Sequence, residues 1–99
     1  MSLKDLQKEV VANKKRHHFN VTDMNEEFCH LYGEVAEAFE AYRKKRSDLG
    51  EELADVAIYL LGLSEILGIE LQDEIEKKMK KNEKRVYKKI DGVTTRISD

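Results

Sequence analysis

Two acidic pairs with the same three-residue step, Glu34 with Glu37 and Glu52 with Asp55, are the residues of this chain best suited to chemistry. Residues three apart are neighbours on a helix surface, so each pair projects two carboxylates in one direction. If two such helices lie side by side, four carboxylates converge beside an apolar core. They then repel one another and lose water, and the remedy is a hard divalent cation that prefers oxygen ligands, Mg²⁺ or Mn²⁺. With 20 acidic residues in 99, such spacings are common, and their weight depends on what surrounds them.

Other polar groups offer partners for an anionic ligand. Asn82 falls on an apolar stripe, where an amide must find partners or cost about 1 to 3 kcal/mol. It reads either as a ligand contact or as an amide bonded to backbone or fixing subunit register. Lys78, Arg85 and Lys89 lie along one edge of the same stripe. Glu27 stands one heptad before Glu34 and reads either as an additional ligand or as a solvated first-turn acid favoured by the helix dipole. The adjacent His17 and His18 point in different directions and make a poor chelating pair. Arg43 to Arg46 complement the carbonyl end of a helix, and nucleic-acid binding would need a broader basic surface. Phe19, Asn20, Phe28, Tyr32 and Tyr59 are candidate walls for a base-binding pocket. The chain has no P-loop, no Gly-x-Gly-x-x-Gly and no serine or cysteine nucleophile constellation, leaving metal-centred hydrolysis as the enzymatic alternative to a helical binding module with an acidic face.

The elements that must position these groups read as helices. There is no proline and there are only five glycines, while Glu, Lys, Leu and Ala fill long runs. One domain over 1–99 is expected, with its core in about 3–90 and a turn and short tail over 91–99. A first helix is expected from Leu3 to about Lys15. A second runs from about Met24 to Arg43, started by Asp23 and Glu26, with Phe28, Leu31, Val35, Phe39 and Tyr42 as its core stripe. The third, capped by Ser47 or Asp48, runs to about Leu67 and is stopped by Gly68. Past Asp55 it is apolar on every side, as for a helix enclosed by neighbours, and a second subunit packed on it is inferred. The fourth is expected over Ile69 to Lys89, with Leu71, Ile75, Met79, Val86 and Ile90 as its buried stripe.

Charge is segregated although the net is only −2. Every charged side chain from Ser47 to Glu76 is acidic, whereas Lys77 to Lys89 is basic apart from Glu83. Such blocks suit a cation on one surface and an anion on the other, or neutralise each other between antiparallel helices. The single Cys29 excludes an internal disulfide and a cysteine zinc cluster and suits a reducing cytoplasm. The start MSLKDLQKEV has no apolar signal core, and the uncharged run Val56 to Ser64 is too short to span a bilayer, so no membrane role is expected.

The order G-E-V-A-E-A, a basic turn, E-E-L-A-D-V-A-I-Y-L and K-M-K-K-N-E-K-R-V-Y, spanning about Phe28 to Lys89, resembles the MazG-type nucleoside triphosphate pyrophosphohydrolases of the all-α NTP pyrophosphatase superfamily. The resemblance implies an all-α four-helix MazG-like bundle that forms a homodimer or dimer of dimers, oligomerising through the apolar third and fourth helices. It implies Glu34, Glu37, Glu52 and Asp55 as catalytic Mg²⁺ ligands, and Lys78, Asn82 and Arg85 as substrate contacts. The implied reaction is hydrolysis of a (d)NTP to (d)NMP and pyrophosphate in nucleotide-pool house-cleaning, with phosphoribosyl-ATP pyrophosphohydrolase as a related alternative. Gly33 stands where the family's first motif often has a further glutamate, leaving the two carboxylates that matter in place.

Overall fold

Ser2 opens the chain's first helix with a reciprocal cap: its hydroxyl accepts from the Asp5 N–H while the Asp5 carboxylate accepts from the Ser2 N–H. In the computed structural model, which describes residues 1–98, that helix is α1 (Leu3–Arg16). It is followed by α2 (Met24–Arg43), α3 (Leu49–Ile66) and α4 (Leu71–Glu83), then β1 (Val86–Ile90) and β2 (Val93–Ser98). Asp23 caps α2 by accepting from the Glu26 N–H. Asp48 precedes α3 without bonding its backbone, because its carboxylate is held by the Arg46 guanidinium instead. Gly68 ends α3 at φ +71°, a left-handed conformation that side chains disfavour.

Helices α1, α2 and α3 form the body. The face that α2 turns inward follows the heptad line Glu27, Leu31, Glu34, Ala38 and Ala41, of which Glu27, Ala38 and Ala41 are buried. Alanines at these positions let α2 and α3 approach closely. The bulky line one position on, Phe28, Val35, Phe39 and Tyr42, is exposed, so the expected α2 core stripe is corrected by about one residue of helical rotation. The second half of α3 is enclosed within the chain at Leu61, Gly62, Leu63 and Ser64, while Ile58 and Leu60 remain exposed. Among the described residues, no helix is long and apolar enough to cross a membrane.

Two buried polar side chains of α1, Gln7 and Lys14, tie it to the rest. Buried Gln7 donates to the Ile69 carbonyl at 2.5 Å and to Glu65 at 3.2 Å, and accepts from the Leu71 N–H at 3.2 Å, anchoring the α3–α4 turn. Lys14 donates to Glu27 at 2.5 Å, with its ammonium 4.6 Å from the Tyr59 ring centre. Its aliphatic stem crosses Gly62, where an added Cβ would stand 3.1 Å from Lys14 Cε.

The C-terminal third departs from the expected helix over Ile69 to Lys89. Helix α4 ends at Glu83, buries none of its residues, and meets the body mainly at α1, where Lys4 bridges Glu70 and Asp73. Residues 86–98 form an antiparallel hairpin rather than helix and tail. Its loop, Asp91 at φ 52° and Gly92 at φ 78°, is a two-residue turn of the type that matches strand twist. Flanking β-branched residues favour strand over helix. The fold is therefore four helices plus a small hairpin; residue 99 lies outside the described residues.

The Lys14–Glu27 pair yields a stability prediction. Lys14→Met leaves a buried carboxylate unpaired and should cost about 3 to 5 kcal/mol, whereas Lys14→Met with Glu27→Leu should stay close to wild type. Equilibrium urea unfolding of the three proteins checks this; equal losses in single and double variants would show that packing, not charge pairing, matters there.

A candidate metal centre between α2 and α3

Closure of α2 on α3 brings Glu34 and Glu37 from one helix against Glu52 from the other. One carboxylate oxygen from each lies within 4.8 Å of the others. Glu34 and Glu52 are half-buried and Glu37 is exposed, so the group sits at the rim of the helix contact, reachable from solvent on the Glu37 side. Asp55 stands half-buried, three residues along α3 from Glu52; it lies outside that triad, although its charge acts on both Glu34 and Glu52.

The electrostatics are those of an anionic cluster without enough built-in cation. Burial, then the charges of Glu37, Asp55 and Glu52, push the Glu34 carboxyl above the ordinary carboxylate range. Burial, then Glu37, Asp48 and Asp55, do the same to Glu52. Glu34 Oε2 and Glu52 Oε2 are buried and have no hydrogen-bond partner. Orphaned buried carboxylate oxygens carry a desolvation cost, and here two of them belong to one cluster. The nearest guanidinium, Arg46, reaches Glu52 at 3.9 Å but is held by Asp48. Three carboxylates with two unsatisfied oxygens are a donor set that suits a hard divalent cation, and Asp55 is available as a fourth.

Beside the acids runs a second feature. Tyr59, one turn beyond Asp55, has its hydroxyl pKa raised by burial and by the charges of Glu27, Glu34 and Asp55, so the phenol stays a neutral donor. It lines a groove of ≈ 460 Å³ between α1 and α3 with Phe19, Asn13, Lys14, Val10 and Ile58. A smaller adjoining groove adds Asn20, Glu26 and His30, whose ring is 5.7 Å from that of Tyr59. Of the candidate pocket walls, Phe19, Asn20 and Tyr59 therefore line these grooves, while Phe28 and Tyr32 face elsewhere and are exposed.

The remaining expected site residues are not brought to the acids within this chain. Lys78 and Asn82 are exposed on α4, and Asn82 lies on a stripe that is itself exposed, so its amide carries no burial cost. Arg85 lies just past α4, half-buried, with Nε lacking a partner; Lys89 is on β1, so the expected edge with Lys78 is broken after Glu83. Among the described residues, no hydrogen bond or ion pair links Lys78, Asn82 or Arg85 to Glu34, Glu37, Glu52 or Asp55. Glu27 is neither a ligand nor a solvated acid but the buried partner of Lys14. The lysine at Lys14, one turn-and-loop before Glu27, was the sequence signal for that pairing. His17 stacks obliquely on Phe19, the ring centres 5.7 Å apart, and His17 and His18 are exposed and outside the acidic group.

The site is thus a rim of crowded carboxylates on two adjacent helices of a helical body, next to an apolar groove. Residues 21–99 match the model of the MazG-like family, and the chain belongs to that family. Neither the curated proteins nor the solved structures gave a match.

The cluster predicts a pH signature. A carboxyl whose folded pKa is raised binds its proton more tightly folded than unfolded, so its contribution to stability falls as pH rises from the ordinary glutamate range through the raised value. In chelator at neutral pH, Glu34→Gln with Glu52→Gln should melt above wild type, and the gap should close in acid below the ordinary range. Millimolar Mg²⁺ or Mn²⁺ should raise the wild-type melting temperature and leave the variant unmoved. Parallel pH profiles with no metal effect would show that the carboxylates are merely solvated.

Proposed function

We propose that this protein is a Mg²⁺-dependent nucleoside triphosphate pyrophosphohydrolase that converts a (d)NTP to (d)NMP and pyrophosphate in nucleotide-pool house-cleaning. The observation that carries this is the pair of buried, unpartnered oxygens on Glu34 and Glu52 within a triad completed by Glu37, in a chain of the MazG-like family. Glu34, Glu52, Glu37 and Asp55 would hold the cation; Mn²⁺ fits the same oxygens. A bound divalent cation supplies charge neutralisation on the phosphate oxygens during displacement at phosphorus.

The chain's own groups then have separable tasks. Glu37, the exposed member, accepts the proton of the water that attacks the α-phosphorus; the bond from that phosphorus to the bridging oxygen breaks, and its electron pair leaves with pyrophosphate. Tyr59, neutral and between groove and acids, donates to the substrate near the α-phosphate, and Phe19 and Asn20 flank the base. Lys78, Asn82 and Arg85 bind the outgoing phosphates. Since α4 leaves the three-helix body, these groups meet a substrate held by the carboxylates of another copy, and the working form is a homodimer or dimer of dimers.

The test is a panel of common and damaged (d)NTPs, with phosphoribosyl-ATP included, assayed with Mg²⁺ for monophosphate and pyrophosphate. Turnover should give equimolar monophosphate and pyrophosphate and vanish in chelator. Glu52→Gln should lower it by about 100-fold or more, in line with losing one electrostatic stabiliser of the transition state, while the helical circular dichroism is kept. Release of diphosphate and inorganic phosphate, or no turnover of any substrate, would sink the assignment.

A further inference from the structure

The larger groove between α1 and α3 opens close to the acids. On α3 its wall is Ile58 and Tyr59, three and four residues beyond Asp55, a rise of about 4.5 to 6 Å along the helix. Tyr59 and Phe19 line this groove and the smaller one beside it, joining the two into one cleft. Leu6, Val10 and Ile58 make the larger groove apolar, a wall that suits a flat heterocycle.

Most polar groups of the cleft are already engaged. Lys14 is held by Glu27, and His30 by Glu26 at 3.3 Å. Asn20 closes its own turn: its amide nitrogen donates to the Asp23 carbonyl at 2.8 Å, and its side-chain oxygen accepts from the Asp23 N–H at 3.0 Å. Tyr59 has one hydroxyl, which the proposed reaction uses near the α-phosphate. Glu9 and Asn13 remain. They stand four residues apart on α1 and are neighbours on the face that lines the larger groove. Arg16 bonds one Glu9 oxygen at 2.8 Å; among the described residues, the other oxygen and the Asn13 side-chain amide have no hydrogen-bond partner.

Resting on the nucleotide reading of this cleft, we infer that Glu9 and Asn13 select the base of the substrate, favouring an edge with an exocyclic amino group beside an unprotonated ring nitrogen: cytosine or adenine. An ionised carboxylate only accepts, so Glu9 receives an N–H of the amino group, and the Asn13 amide donates to the ring nitrogen. Uracil and hypoxanthine keep the same ring skeletons with that edge inverted, a carbonyl oxygen beside a ring N–H. Their carbonyl would meet the Glu9 carboxylate acceptor against acceptor, and a polar group left without its partner rejects such an analogue strongly. The Asn13 amide can turn to suit either edge. Glu9 cannot, and the carboxylate is therefore the discriminating group.

The experiment adds isosteric nucleoside pairs, deoxycytidine with deoxyuridine and deoxyadenosine with deoxyinosine, to the full chain in chelator. Binding is followed by the NMR signals of the Asn13 side-chain amide and the Ile58 methyl groups. The amino member of each pair should bind roughly tenfold or more tightly and shift the Asn13 signal. Glu9→Gln supplies a donor for the carbonyl and should bring each pair to nearly equal affinity. Glu9→Gln with Asn13→Asp inverts the edge that the protein offers and should favour deoxyuridine and deoxyinosine. Both residues are exposed and the Glu9–Arg16 pair is a surface one, so the variants should keep the wild-type helical spectrum. Equal affinities within each wild-type pair, an unchanged preference in the double variant, or no Asn13 shift with any of the four overturns the inference. Triphosphate turnover is measured separately: discrimination without turnover would leave the base preference standing and remove the hydrolase, and turnover of dCTP and dUTP at equal kcat/KM would do the reverse.

Discussion

The close approach of α2 and α3 over Ala38 and Ala41 is the constraint from which the site follows. Two helices separated by larger side chains would hold Glu34 and Glu52 apart, and each carboxylate could turn to water. Alanines remove that freedom. The helices meet near their surfaces, the acids on their facing edges lose solvent, and the resulting repulsion appears as raised carboxyl pKa values and as two oxygens without partners. A stability-driven design would not put three carboxylates there. A cation bound there would offset the cost.

The contrast with Glu27 sharpens this. It lies on the same inward line of α2 as Glu34, one heptad earlier, and is more deeply buried, yet it is satisfied by Lys14 at 2.5 Å. The chain thus contains two solutions for an acid at a helix contact. In one the cation is part of the sequence, fixed between Tyr59 and Gly62. In the other, Arg46 reaches Glu52 only at 3.9 Å while its hydrogen bonds go to Asp48, and Glu34 Oε2 and Glu52 Oε2 are left without a hydrogen-bond partner. That difference separates Glu27 from Glu34 more clearly than the Glu-x-x-Glu spacing does.

Much of this was legible in the sequence because helices announce themselves locally. The bounds of α2 and α3 and the glycine stop at Gly68 follow from periodicity and turn chemistry within a few residues, whereas the meeting of the acidic pairs depended on α2 packing against α3, which gathers Glu34, Glu37 and Glu52 and leaves Asp55 outside the triad. What was not legible depended on choosing between neighbouring lines of one helix. On α2 the bulky line Phe28, Val35, Phe39 and Tyr42 has the greater hydrophobicity, and the line of Glu27, Glu34, Ala38 and Ala41 is the one the chain itself buries. Area favours the first, and close packing of small side chains selects the second within one copy. The hairpin had a local signal, Asp91–Gly92 between β-branched runs, but the Lys-rich, periodic stretch before it extends a helical pattern through Arg85 and masks the change of period at Val86.

A bulky stripe that faces outward and an arm that packs on little of its own chain have one thing in common: both leave apolar surface that this chain does not cover. Among the described residues the buried apolar set is only Val11, Ala38, Ala41, Leu61 and Leu63, two of them alanines, which is little for a domain that must offset the ordering of nearly a hundred residues. Covering the face of Val35, Phe39 and Tyr42 would supply the missing burial. At about 100° per residue, Glu37 lies on the other flank of α2 from that face, so burial there would leave the Glu37 side of the acidic group open to water. Completing the core and neutralising the carboxylates are thus demands of two different surfaces of one helix pair.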